Sequence, residues 1–207
     1  YQMAKKGAKL VISARRIEEL ERVKLKCQIS EGNILVAPLD VENEQEIGKV
    51  MDMIIEKFGQ IDMLFPNAGI SQRSDTVSTS MEVYRKIMNV NFYGVIAITK
   101  AVLPYFKKHK SGHFVVTSSL SGKLGTPLRS GYCASKHALH GFFDSLRAEV
   151  AKENIKVTVP KEYANVVKDQ SNKSENGKGV RNGSKRGAKI EEVSNDTQAT
   201  DGENQNP

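Results

Sequence analysis

Short apolar runs alternate with amphipathic helical segments along the first three quarters of this chain, and that rhythm limits what it can fold into. Residues 8–14 (AKLVISA) read as a parallel strand buried on both faces, because they lack the alternation of a half-exposed strand. Ile17–Cys27 follows, with Ile17, Leu20, Val23 and Cys27 at helical spacing. A second strand is predicted over 33–40, which contains ILVAPL and ends in an acid. Glu44–Phe58 predicts the clearest helix: Ile47, Val50, Met51, Ile54, Ile55 and Phe58 share one face, and Gly59 ends it. Strands at 61–65, 113–117 and 155–159 and helices at 80–108 and 130–153 complete the series, with Thr79 or Ser80 as the N-cap of the first of those helices. Strands alternating with helices of ten or more residues predict an α/β fold, a doubly wound parallel sheet of Rossmann-like type with right-handed crossovers.

Composition sets the domain boundary. From residue 160 to 207 there is no Leu, Phe, Met or Cys, while Asn, Ser, Gly, Lys and Glu dominate. A segment so poor in apolar surface does not offset the entropy lost on ordering it, so 1–159 is expected to be the domain and 160–207 a disordered polar tail. Eight Lys/Arg and eight Asp/Glu cancel within that tail, which assigns the whole excess of +7 to the domain. The domain's basic residues are interspersed with acids, as in Glu18, Glu19 and Glu21 beside Arg22, Lys24 and Lys26. This pattern predicts a solvated surface rather than a nucleic-acid site.

Other function classes are disfavoured in turn. Cys27 and Cys133 imply no disulfide framework, and His137 with His140 form an i, i+3 pair that lacks a third metal ligand. No apolar run approaches the ~20 residues of a membrane span, and no signal peptide is visible, although the chain starts at Tyr1. Three Asn-x-Ser/Thr triplets, at Asn172, Asn182 and Asn195, are expected from the tail's composition; Lys185-Arg186 is too short a cluster to argue nuclear import.

In a doubly wound sheet, ligands bind beyond the carboxyl ends of the strands, and the polar candidates fall there. Arg15 and Arg16 follow the first strand, and Asp40-Val41 ends the second. Asn67-Ala68-Gly69 follows the third, and Ser118-Ser119 the strand at 113–117. Tyr132 and Lys136 lie four apart on a predicted helix, hence on one face. A cation beside a phenol favours the phenolate, so a Tyr, a weak acid near ~10 in water, can exchange a proton closer to neutrality. Small residues at 68 and 69 let a ligand approach the backbone. Asp40 suits an adenine amino group, with Val41 packing nearby; a helix N-terminal acid is the plainer reading. Two arginines after a strand suit a 2′-phosphate, which favours NADP over NAD. Asn89-Val90-Asn91 lies mid-helix, where Asn is a poor helix former, and predicts a local distortion that frees a carbonyl to hold water.

Asn67-Ala68-Gly69, Asn91, Ser119, Tyr132 and Lys136, in this order and spacing, resemble the short-chain dehydrogenase/reductase family over about residues 1–159. The segments ISARR, EELERV, LDV and GYCASKHAL narrow the resemblance to one branch of it. The resemblance implies NAD(P)(H)-linked interconversion of carbonyls and alcohols. Tyr132 would be the general acid/base, Ser119 would orient the substrate oxygen, and Lys136 would hold the nicotinamide ribose and tune the tyrosine. Asn91 would hold a relay water through its backbone. It further implies a small, lipophilic substrate and a homo-oligomer paired through the helices at 80–108 and 130–153. The relatives' location is the endoplasmic reticulum membrane, with the cytoplasm as alternative.

Departures from the family pattern are also visible. The family's glycine-rich phosphate loop has no counterpart; the chain opens in the helix that should follow it, near Met3 to Gly7. Pro66 replaces the first Asn of the usual Asn-Asn-Ala-Gly, and Pro160 leads into the polar tail instead of a substrate-covering segment. The competing expectation is therefore a truncated, non-catalytic product or interaction protein. A nucleotide-sugar epimerase also uses Tyr-x-x-x-Lys, but the Asn-Ala-Gly and Asn91 spacing disfavours it.

Overall fold

The computed structural model describes residues 1–160 and 190–192. A short helix, α1 (Gln2–Lys5), leads into β1 (Leu10–Ile12) and α2 (Ile17–Cys27), then β2 (Ile34–Val36) and α3 (Glu44–Phe58). β3 (Met63–Leu64) and β4 (Ile70–Gln72) precede α4 (Met81–Met88), which runs through a π-helical turn (Asn89–Tyr93) into α5 (Gly94–His109). β5 (Gly112–Val115), α6 (Ser130–Glu149), β6 (Ile155–Thr158) and β7 (Ile190–Glu192) follow.

Local chemistry explains the clearest element. Asn43 caps α3 by accepting a bond from Gln45 N at 3.2 Å, and its amide donates to Glu46 Oε1 at 2.8 Å. Glu44 and Glu46 lie in the first turn, Lys57 in the last, each sign suited to the helix dipole. Gly59 closes the helix at φ 77°, a conformation that glycine adopts without Cβ strain.

The alternation yields parallel sheets. β1 pairs with β2 in parallel, Leu10 opposite Ile34, and β3, β5 and β6 form a three-stranded parallel sheet in the order β3-β5-β6. One core joins them: Ala37 and Leu39 beyond β2, Ile47 and Met51 of α3, Val102 and Phe106 of α5, Phe114 and Val116 at β5, and Phe143 of α6 are packed together. The parallel pairing places residues 13–16, 37–41, 65–69 and 116–119 at carboxyl ends of strands.

The structure departs from the sequence reading in four places. The strands are shorter than expected, since pairing covers only the residues facing a neighbour. β4 was not expected; it carries one apolar residue in three. β7 pairs antiparallel with it, Ile70 opposite Glu192 and Gln72 opposite Ile190. Backbone pairing at a strand edge needs no apolar side chains, which is why so polar a segment can supply a strand. The rest of 161–207, with its sequons and Lys185-Arg186, lies outside the described residues. Finally, the helix Met81–His109 is long and apolar enough to cross a membrane, with a mean hydropathy of 1.3 over its best window. Composition alone cannot separate a span from a core helix. Here Ile87, Val95, Val102 and Phe106 are at most 2% exposed inside the protein.

Candidate active site

The end of β5 and the start of α6 form the centre of the site. After Val115 the chain passes through Thr117 and Ser118 to Ser119, which caps a short 3-10 turn (Leu120–Gly122) by accepting a bond from Ser121 N at 3.2 Å. A hydroxyl that accepts through a lone pair keeps its proton to donate elsewhere. The chain then returns through Leu128, which sits at φ 65°, an uncommon conformation for a residue with a branched side chain. That turn delivers Arg129 and α6 against the 117–119 segment.

Tyr132 is buried on α6 between two cations. The Lys136 ammonium lies 5.8 Å from its ring centroid and the Arg129 guanidinium 6.0 Å away. Lys136 is 3% exposed and donates to Thr117 O at 3.1 Å. Burial lowers its pKa to about 8. An ammonium has three donors, and no carboxylate among the described residues pairs with this one. The remaining donors suit hydroxyl groups such as those of a nucleotide ribose.

Asn91 is fully buried in the π turn, which is the distortion that the mid-helix Asn predicted. Its amide makes a two-way clamp on β4, accepting from Ile70 N at 2.8 Å and donating to Ile70 O at 2.9 Å. It also donates to Ser135 Oγ at 3.0 Å, and Ser135 in turn donates to Tyr132 O at 2.8 Å. Asn91 thus ties β4 to the turn of α6 that lies between Tyr132 and Lys136. Gly69, just before β4, is the close approach: a Cβ there would stand 3.4 Å from Asn91 Oδ1 and 3.7 Å from Lys136 Nζ. The Gly69 backbone therefore lies within contact range of both the Asn91 amide and the Lys136 ammonium.

The remaining sequence-derived residues are arranged differently. Arg15 and Arg16 are exposed on the turn between β1 and α2, with Arg16 as the helix N-cap. Asp40 is half-buried, and its Oδ1 accepts from Glu42 N at 3.0 Å, so part of its carboxylate already organises the turn before α3. Val41 packs on Gly94, where an added Cβ would come within 2.7 Å of its Cγ2. Asn67 and Ala68 are exposed beside Gly69. The structure thus links Gly69, Asn91, Tyr132 and Lys136, sets Ser119 two residues beyond the Thr117 carbonyl that Lys136 binds, and leaves Arg15, Arg16 and Asp40 on other turns.

Three contributors escaped the sequence reading. Arg129 flanks Tyr132 and donates to Ser71 Oγ at 3.2 Å. Ser135 links Asn91 to α6. Gln72 of β4 is fully buried, and neither of its amide atoms completes a hydrogen bond among the described residues. No apolar run marks that strand in the sequence, where Ser71-Gln72-Arg73 follows Ile70. His137 Nδ1 lies 2.9 Å from Cys133 O, and His140 Nε2 lies 2.9 Å from Ser118 Oγ.

Known proteins share this fold and part of this sequence. The family model for short chain dehydrogenase matches residues 1–166. The chain is 46% identical over 155 residues to human dehydrogenase/reductase SDR family member 7, which covers 73% of this chain and 46% of the relative. It is likewise 46% identical over 158 residues to an Anopheles gambiae SDR family protein 7-like relative, covering 74% and 50%. Among solved structures, a Burkholderia phymatum short chain dehydrogenase/reductase in complex with NAD superposes with a TM-score of 0.72 at 25% identity, over 76% of this chain and 57% of that one. A short-chain dehydrogenase from Streptomyces avermitilis gives 0.71 at 29% identity, over 75% and 56%. The chain spans about half the length of the curated relatives it matches. Its fold, its site order and these likenesses agree: the chain belongs to the short chain dehydrogenase family.

Proposed function

We propose that this chain carries the catalytic residues of an NADP-linked oxidoreductase that interconverts a carbonyl and a secondary alcohol. The observation that carries the reading is the buried Tyr132–Lys136 pair, set on one helix face beside the Ser119 turn. Bound nicotinamide supplies or accepts the hydride in such chemistry. Tyr132 gives or takes the proton at its phenolic oxygen. The Lys136 cation stabilises the negative charge on that oxygen while the proton is away, and its spare donors hold the cofactor's ribose. Ser119 donates its free hydroxyl proton to the substrate oxygen. The π turn at Asn91 supplies a backbone carbonyl for a relay water.

Arg15 and Arg16 support NADP over NAD, because their exposed guanidiniums can fork onto a 2′-phosphate. Asp40, Val41, Asn67, Ala68 and Gly69 complete the nucleotide side. The substrate is a small, lipophilic carbonyl or alcohol, and the parent enzyme is a homo-oligomer at the endoplasmic reticulum membrane.

Two measurements test this. Titrating the present chain with NADPH, followed by its fluorescence, should give saturable micromolar binding; absence of saturation favours a non-catalytic product instead. In a chain extended at both ends to its relatives' length, Tyr132→Phe should lower carbonyl reduction by about 10²- to 10⁴-fold. Unchanged turnover would remove Tyr132 from the reaction.

A further inference from the structure

Tyr132, Lys136 and His140 are spaced i, i+4 and i+8 on α6, so they stand one above another on a single helix face. The last two grip consecutive residues of the facing segment. Lys136 Nζ donates to Thr117 O at 3.1 Å, and His140 Nε2 lies 2.9 Å from Ser118 Oγ. Ser119 comes next in the chain. Ser118 is 9% exposed, and the loop closes tightly on the ring at Gly122. A Cβ at Gly122 would stand 2.8 Å from Ser118 Oγ and 3.0 Å from both Cδ2 and Nε2 of His140, so only glycine fits there unless loop or ring moves.

We propose that His140 is a positioning residue: acting through Ser118, its imidazole fixes the 118–122 loop and so sets where the Ser119 hydroxyl points. The inference rests on the role given to Ser119 above. It differs from mere satisfaction of a buried polar group, because it couples the ring to the geometry of a neighbouring turn.

The charges around His140 add a pH dependence. Burial is the main influence lowering its pKa, followed by Lys123 at the end of the same loop. Asp144 opposes these, while His137 and Arg147 reinforce them from α6 itself. The ring is therefore neutral at neutral pH and can accept from or donate to Ser118. An imidazolium can only donate, and it places a second cation beside Lys123. Ser118 Oγ can accept from the imidazolium, so protonation should loosen the loop through repulsion of Lys123 at its end.

The test uses the full chain and reads amide exchange at Ser121 and Gly122, together with the His140 ring resonances, by NMR. One lost hydrogen bond corresponds to about tenfold faster local exchange. His140→Leu and Ser118→Ala should each produce that acceleration, and the double variant should be no worse than either alone. His140→Gln, which retains a polar group near the ring nitrogen's place, should stay near the parent. Loop exchange in the parent should also rise, after correction for intrinsic chemistry, as the His140 ring becomes protonated. Unchanged loop exchange in His140→Leu, additive effects in the double variant, or a His140→Gln no better than His140→Leu would overturn the proposal. Should His140→Leu fail to fold, Ser118→Ala and the parent's titration still decide. No turnover is read, so failure of the redox reading would show in the cofactor titration and leave this measurement intact.

Discussion

The Tyr132 side of the site and the turns after β1 and β2 are built from similar polar residues, yet the fold treats them in opposite ways. Lys136 and Asn91 are at most 3% exposed and are fixed by bonds to Thr117, Ile70 and Ser135. Arg15 and Arg16 face solvent, and Asp40 spends one carboxylate oxygen on its own turn. The first region is organised by the chain itself, in a medium where a misplaced polar group costs several kcal/mol. The second is organised by local turn chemistry, on residues that face solvent or are only half-buried. Reactive groups that must meet within a fraction of an ångström belong in the first kind of setting, and groups that recognise a flexible charged partner can work in the second.

That contrast can be broken by substitution. Asn91→Ala should have the largest effect on stability, about 4 kcal/mol, because it strands both backbone groups of Ile70 and leaves Ser135 short of a donor. Urea unfolding would measure it. A cost below about 1 kcal/mol would mean that β4 is held by other contacts and that the buried half is less dependent on its network than its geometry suggests.

Lys136 gives the next largest effect, and its sign follows from proton counting. Its pKa is about 8 when folded against 10.5 for the free side chain, so between those values the unfolded chain binds more protons. Stability should therefore rise with pH across that window, by at most about 3 kcal/mol, and level off above it. Subtracting the same curve for Lys136→Met removes the contribution of other titrating groups. No difference in slope would mean that the ammonium is solvated in the folded protein.

On the exposed side, Arg15→Ala with Arg16→Ala should shift the unfolding midpoint by less than about 0.5 kcal/mol. The same pair should weaken NADPH binding while leaving NADH binding nearly unchanged. If both cofactors lose equally, the arginines serve the turn or the shared part of the nucleotide, not the 2′-phosphate.

Much of this was legible in the residues because it depends on neighbours within a turn or two. α3 follows from its apolar stripe between Asn43 and Gly59, and the Tyr132/Lys136 pair follows from helical spacing. The distortion at Asn91 follows from two Asn residues in the middle of a long amphipathic helix. β4 was missed because its strand character lies in backbone pairing and in the Asn91 clamp, made across 21 residues of sequence. His140 drew no role from the sequence beyond a pair lacking a third metal ligand, because its partner, Ser118, lies 22 residues upstream on another element. The helix 81–109 read as too short an apolar run because charged residues interrupt it, although its mean hydropathy reaches 1.3 over its best window.

By itself, then, the sequence determined the α/β alternation, the helix ends and the helix face on which Tyr132, Lys136 and His140 stand, since each depends on periodicity and local hydrogen bonding. Tertiary structure alone decided which of the polar candidates became a network. It buried Lys136 with no counter-charge among the described residues, locked Asn91 onto β4 and set Ser118 against His140. Burial and long-range hydrogen bonds arise only when distant segments pack, and local sequence carries no measure of them.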